Sequence, residues 1–193
     1  MMHLLHDISP GKKAPEIVNA IIEIPKGDRN KYELDKEYGI IKVDRVLHSS
    51  FVYPANYGFI PQTLAGDGDP LDILVLGQMP VHPGSLMQAR PIGVMKMLDE
   101  GKKDNKIIAV HANDPDFRDI MHTRKLPPSL LNGIKHFFKT YKELEHKEVL
   151  VKSFSPPTEA KRIILKTISR YKEHMSLSKV PIIAPLAAQG IVT

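Results

Sequence analysis

Apolar residues follow two different periods along this chain, and the change falls near residue 125. Before it, short β-branched runs alternate with turn residues, a pattern that predicts strands. Residues 20–25, AIIEIP, form one such run, broken by Glu23 and stopped by Pro25. Residues 38–47, 72–76, 86–98 and 106–111 supply others, and Pro91 with Gly93 predicts a bend or bulge in the longest. The run ILVL at 73–76 is apolar on both faces, which suits a small closed barrel better than an open, half-wet sheet.

After residue 125 the spacing becomes helical. Leu130, Leu131, Ile134, Phe137, Phe138, Tyr141 and Leu144 recur at steps of three and four behind the start signal Pro127-Pro128-Ser129. A second helix is predicted after Ser155-Pro156-Pro157-Thr158, with a stripe of Ile164, Ile168 and Tyr171 widened by Ile163 and Leu165. Residues 180–193 are apolar but interrupted by Pro181 and Pro185, and too few to cross a bilayer. They read either as a frayed end or as an arm packing on a neighbouring subunit. No internal repeat or low-complexity segment is present. The expected organisation is one α+β, mainly β domain over 1–193, with a core of about 16–175 and an apolar tail at 176–193.

The length of 193 residues allows one good core. The chain has no cysteine, so disulfides, thiolate metal sites and cysteine nucleophiles are excluded, which suits a reducing, cytoplasmic setting. The N-terminus, MMHLLHDISPGKK, lacks the apolar stretch of a secretory signal. The net charge of +5 attracts anions in general: nucleic acid, acidic lipid or small polyphosphates. The lysines and arginines are dispersed, though, and there is no tryptophan to interleave with them, so a solvated basic surface is the better account of the charge.

Chemistry enters at Gly66–Gly77, GDGDPLDILVLG, where Asp67, Asp69 and Asp72 crowd together before a strand. An EF-hand is excluded, since the sixth loop position is Asp72 and the twelfth is Gln78. An ordinary turn remains open, because Asp and Gly favour turns for backbone reasons. So does a hard-cation site, with Pro70 stiffening the loop and Asp67 and Asp69 projecting to one side if the stretch is extended. A second acidic turn, Asp99 to Asp104, lies between two predicted strands. Glu23 interrupts an apolar strand and needs a partner, with a lysine or arginine across the sheet as one candidate. Glu33 shares a face with Lys31 on the next short strand. Such a mixture suits an anionic substrate that brings cations, with lysine and arginine taking the phosphate oxygens that metal leaves exposed. The nine histidines show no HxxxH or HxH spacing, so zinc is disfavoured and magnesium favoured. No Walker-type loop, GxGxxG or GxSxG is present.

DGDPLD resembles the signature of soluble family I inorganic pyrophosphatases. The likeness extends through IEIP at 22–25, KYELD at 31–35, VDR at 43–45, YPANYGFIP at 53–61, RPIGVMKMLDE at 90–100 and HFFKTYKELE at 136–145. It implies an OB-like five-stranded β-barrel with flanking helices, hydrolysing pyrophosphate with several magnesium ions, manganese or other divalent ions being possible substitutes. Homohexamers are implied as well, through the surface around His136, Thr140 and Glu143. By matched position Asp67, Asp72, Asp99, Asp104 and Glu23, with Glu33 through water, would serve the metals, and Asp69 would be the general base. Lys31, Arg45, Tyr57, Lys106, Tyr141 and Lys142 would grip phosphate, Tyr53 would line the site, and Glu100 would stand further out. Two other readings stay open on the residues alone: an OB-type nucleic-acid module, which the acidic cluster opposes, and a magnesium phosphoesterase acting on nucleotides. Neither nucleic acid nor membrane is an expected partner.

Overall fold

The structure, a computed structural model, describes residues 2–178. Its elements in chain order are β1 (Val18–Ile24), β2 (Asn30–Asp35), β3 (Ile40–Val46), β4 (Asn56–Ile60), β5 (Leu71–Leu76), β6 (Leu86–Asp99), β7 (Lys102–Lys103), β8 (Lys106–His111), α1 (Pro128–Thr140), β9 (Val149–Ser155) and α2 (Pro157–Ser178). Strands β1, β4, β5, β8 and β6 pair in that order, and β6 returns to β1, closing a ring of five. Every pairing in the ring is antiparallel except β5 with β8. Closure leaves no unpaired edge among these strands.

The ILVL run shows why the ring holds. Ile73 and Val75 pack with Val18, Ala20, Ile22, Ala89, Ile107 and Ala109 in one buried cluster contributed by all the ring strands. Leu74 and Leu76 point the other way, into a second cluster capped by Ile134, Phe137 and Phe138 of α1. A strand apolar on both faces is thus filled on both: inside by the barrel, outside by a helix. α2 adds Ala160 and Ile164 to the first cluster. The long strand β6 serves several partners in turn. Its first part pairs with β1, and its register on β8 shifts between Pro91 and Gly93, where the sequence predicts an irregularity. Beyond that point it pairs with β9. Gly93 has no room for a side chain, because a Cβ would lie 2.7 Å from Thr123 and 2.8 Å from the Ser155 carbonyl.

Several expectations change. β2 and β3 form a separate hairpin, and Ile40, Val43 and Val46 are exposed, so the β-branched content of 38–47 marks a strand outside the barrel. β4 and β9 do not stand out in the sequence: β4 is short and opens on the polar Asn56, and β9 carries Lys152 and Ser153. α1 ends at Thr140, and a 3-10 turn at Glu143–Glu145 leaves Leu144 60% exposed, outside the helical stripe. In α2 the buried line runs through Ala160, Ile164, Thr167 and Tyr171, and Leu165 faces solvent. α2 runs on to Ser178, three residues into the span expected as tail (176–193), and residues 179–193 lie outside the described residues.

One position tests barrel closure directly. A Cβ on Gly58 would sit 1.8 Å from the Ile21 carbonyl oxygen on the neighbouring strand. Gly58→Ala is expected to destabilise the fold by on the order of 3 kcal/mol or more, because backbone and not a flexible side chain must give way. Urea unfolding followed by circular dichroism measures it.

Candidate active site

Alternation along the ring strands carries polar groups onto the face that α1 covers. Tyr57 stands opposite Leu74, and Asp72 and Lys106 lie two residues from Leu74 and Ile108, both members of the α1-facing cluster. Apolar packing therefore ends where these side chains begin. The β2–β3 hairpin and the end of α1 enclose the space beyond them, making a cavity of about 600 Å³. Nine carboxylates and five lysines line it, so a chain of net charge +5 holds a pocket of the opposite sign.

Twelve of the residues matched to the family line this one hollow: Glu23, Lys31, Glu33, Tyr57, Asp67, Asp69, Asp72, Asp99, Asp104, Lys106, Tyr141 and Lys142. Lys106, 4% exposed, bridges Asp72 and the Asp104 Oδ1 atom, the latter at 2.6 Å, and lies 5.5 Å from the Tyr57 ring centre. Although burial works against its charge, the Asp72 and Asp104 carboxylates raise its pKa above the usual lysine range. Burial lifts Asp72 to about 6, with Lys106 opposing the rise. Lys142, just past α1, pairs with Asp99 Oδ2, while Asp99 Oδ1 is buried with no hydrogen-bond partner among the described residues. Burial also raises Tyr57 and Tyr141 well above the ordinary phenol value, so both remain hydroxyls near neutral pH.

Glu23 is not held by a basic side chain across the sheet. Its Oε1 accepts a hydrogen bond from the Leu34 backbone N–H at 2.8 Å, which ties β1 to the hairpin. Burial and then the neighbouring Asp72 charge push its carboxyl up to about 8. Asp67 and Asp69 do not lie on an extended stretch. Gly68 has φ +93°, and the Asp69 N–H donates to Asp67 Oδ1 at 3.0 Å, an Asx turn that still presents both carboxylates to the cavity. Turn and acidic site are the same object here.

Three matched residues stand back from the cavity. Tyr53 is 2% exposed, its ring 5.4 Å from Tyr57 and 4.9 Å from Phe137, so it buttresses Tyr57 from behind. Arg45, across the hairpin from Lys31, makes a two-pronged contact with Glu145: Nε to Oε1 at 3.1 Å and Nη2 to Oε2 at 2.7 Å. Glu100 sits in an exposed turn, 4.0 Å from Lys147. Sequence reasoning missed Lys36, which pairs with Asp69, and the anchoring role of Glu145. Lys36 directly follows the KYELD block and was findable; Glu145 meets Arg45 across a hundred residues and was not.

The donor set fits a hard divalent cation. All candidate ligands are carboxylate oxygens, and the orphaned Asp99 Oδ1 has a lone pair that no other described residue uses. Among the described residues no three acidic or imidazole groups stand close enough together to hold an ion as their side chains lie, since Lys106 and Lys142 occupy the ground between them.

A closed five-stranded barrel with a carboxylate-and-lysine cavity on its flank places the chain among small closed-barrel proteins that carry a polar site on the barrel wall. The sequence profile of the family described as inorganic pyrophosphatase matches residues 20–172. A soluble inorganic pyrophosphatase 2 of Chlamydomonas reinhardtii is 53% identical over 172 residues, covering 89% of this chain and 90% of that protein. Soluble inorganic pyrophosphatase 1 of Arabidopsis thaliana is 49% identical over 173 residues, covering 90% of this chain and 82% of its own length. The crystal structure of inorganic pyrophosphatase from Thermus thermophilus superposes with a TM-score of 0.86 at 42% identity, covering 89% of this chain and 99% of that one. The chain belongs to the inorganic pyrophosphatase family.

The raised Glu23 carboxyl makes stability depend on pH when metal is chelated. Between about 4.5 and about 8 the folded protein holds a proton that the unfolded chain releases, so stability is full below that window and falls as pH rises through it. Asp72 adds a slope of the same sign up to about 6. Glu23→Gln keeps an acceptor for Leu34 and removes the titration. At pH 8 in chelator it is expected to exceed wild type by on the order of 2–4 kcal/mol, read from urea midpoints at pH 5 and pH 8.

Proposed function

We propose that this chain hydrolyses inorganic pyrophosphate to two orthophosphates as a magnesium-dependent inorganic diphosphatase. The observation that carries the reading is Lys106, buried and charged between Asp72 and Asp104 in a cavity otherwise dominated by carboxylates. An ammonium there with acids around it matches a ligand that is itself a polyanion accompanied by cations.

In this reading Asp67, Asp72, Asp99, Asp104 and Glu23, with Glu33 through water, hold several magnesium ions, and manganese is a possible substitute. When bound, the divalent ions make water more acidic and neutralise phosphate charge. Asp69, on its turn at the cavity mouth, accepts a proton from the attacking water. The water oxygen bonds to one phosphorus, the bridging P–O bond breaks, and the electron pair leaves with the second phosphate. Lys106, Lys142 and Lys31 spread the charge on both phosphoryl groups, and Arg45, oriented by Glu145, reaches the same substrate. Tyr57 and Tyr141, kept protonated by burial, donate hydrogen bonds to phosphate oxygens; Tyr53 supports Tyr57.

The proposed assembly is a homohexamer in the cytoplasm, acting as one domain without nucleic-acid or membrane partners. Exposed His136, Glu143 and Leu144 around the end of α1 support contact between copies. No helix among the described residues is long and apolar enough to span a membrane.

The test is orthophosphate release from pyrophosphate and, separately, from ATP. Chelation is expected to abolish turnover, and ATP to be a poor substrate with magnesium. Asp69→Asn is expected to lose about a hundredfold or more in rate while its unfolding curve is retained. A near-normal rate in that variant would remove Asp69 as base, and preferential release from ATP would favour the phosphoesterase reading.

A further inference from the structure

A second cavity, of about 350 Å³, lies between α2, β6 and the loop at 64–66, and shares no residue with the acidic one. Its charge is reversed. Lys96, Lys103, Lys152, Arg162, Lys166 and Arg170 converge on it from four elements, against the single carboxylate of Glu159. Glu159 is already engaged, with Lys96 at 2.9 Å and Arg162 at 2.8 Å. Lys103, Lys152, Lys166 and Arg170 form no ion pair among the described residues.

Arg162, Lys166 and Arg170 also follow one another at four-residue steps on α2, a like-charge stripe on one helix face. Each such neighbouring pair repels along the helix unless something negative lies over it. The floor beneath these cations is apolar, formed by Leu71, Met97, Leu98 and Ile163. Inorganic phosphate alone would satisfy the rim and leave that floor wet. A ligand with a multiply charged end and a flat, weakly polar body covers both, and the cavity volume is in the range of small-molecule sites.

The geometry points to a binding site here for a nucleoside polyphosphate, taken without metal, that acts on the acidic cavity through shared chain. Gly66, Leu71, Leu98, Lys103 and Asn105 line the basic cavity, and each is the immediate chain neighbour of a carboxylate in the other: Asp67, Asp72, Asp99 or Asp104. A ligand seated on one side therefore presses on the backbone that aims the acids on the other.

Binding is separable from hydrolysis. With chelator present the acidic cavity repels anions, so calorimetric titration with ATP reports on the basic cavity alone. ATP is expected to bind the full-length protein, adenosine not to bind, and inorganic tripolyphosphate to bind at least about threefold more weakly than ATP. The double variant Lys166→Glu, Arg170→Glu, both residues exposed, is expected to lose at least about tenfold in ATP affinity with an unfolding midpoint no lower than wild type. At a fixed free magnesium concentration low enough to leave part of the ATP uncomplexed, ATP is expected to shift the KM for pyrophosphate in wild type and not in this variant. Equal binding by the variant, or tripolyphosphate equalling ATP, would overturn the assignment. So would a wild type that binds no anion while the variant changes its sedimentation, which would make this face a contact between copies. These binding results stand or fall whether or not the protein splits pyrophosphate.

Discussion

The Lys106 ammonium between Asp72 and Asp104 is the contact on which the site depends. Each acid comes from a different segment, β5 and the turn after β7, and each would repel the other if nothing positive lay between them. Lys106 opens β8, the strand that runs parallel to β5 in the closed ring, so the backbone ladder delivers the cation to that spot. Removing one member of such a buried group leaves the others uncompensated, which makes the arrangement all-or-none. The same contact links packing to chemistry: two residues along, Leu74 and Ile108 carry the α1-facing core.

Around this point the molecule sorts charge by place. Its overall balance is positive, but the flank beneath the hairpin is acid-rich and the end beneath α2 is basic. Strands and turns between the two give one residue to each side in alternation, as Leu71 and Asp72 do, or Leu98 and Asp99. Alternation is a backbone property, so it needs no special residue to create two opposed environments; it needs only that the residue types alternate to match. The acidic flank binds its own lysines tightly while the basic end keeps several cations without carboxylate partners among the described residues, and that difference is what assigns them different ligands.

Reading the residues in order was enough to find most strands, because β-branched runs bounded by proline and glycine report strand formation locally. It was enough to find α1 and α2, because helical spacing is also local. The matched blocks around DGDPLD identified twelve residues that line one hollow, although they span from Glu23 to Lys142. What failed had long-range causes. β4 is a strand because β1 and β5 flank it, and nothing in NYGFI says so. Leu165 looks like part of the α2 stripe and faces water, because the barrel end meets the helix along the line of Ile164 and Thr167. Glu23 was legible as an anomaly, yet its partner, the Leu34 amide, carries no side-chain signal.

The sequence by itself determined the kinds of element, the chemistry of the ligand donors and the family, since these rest on residue type and spacing along one dimension. Only the tertiary structure decided which charges neutralise which, that Arg45 is held by Glu145, that Tyr53 stands behind Tyr57, and that a basic cavity backs the acidic one. Electrostatic energy depends on distance through space and on burial, and both are created by barrel closure.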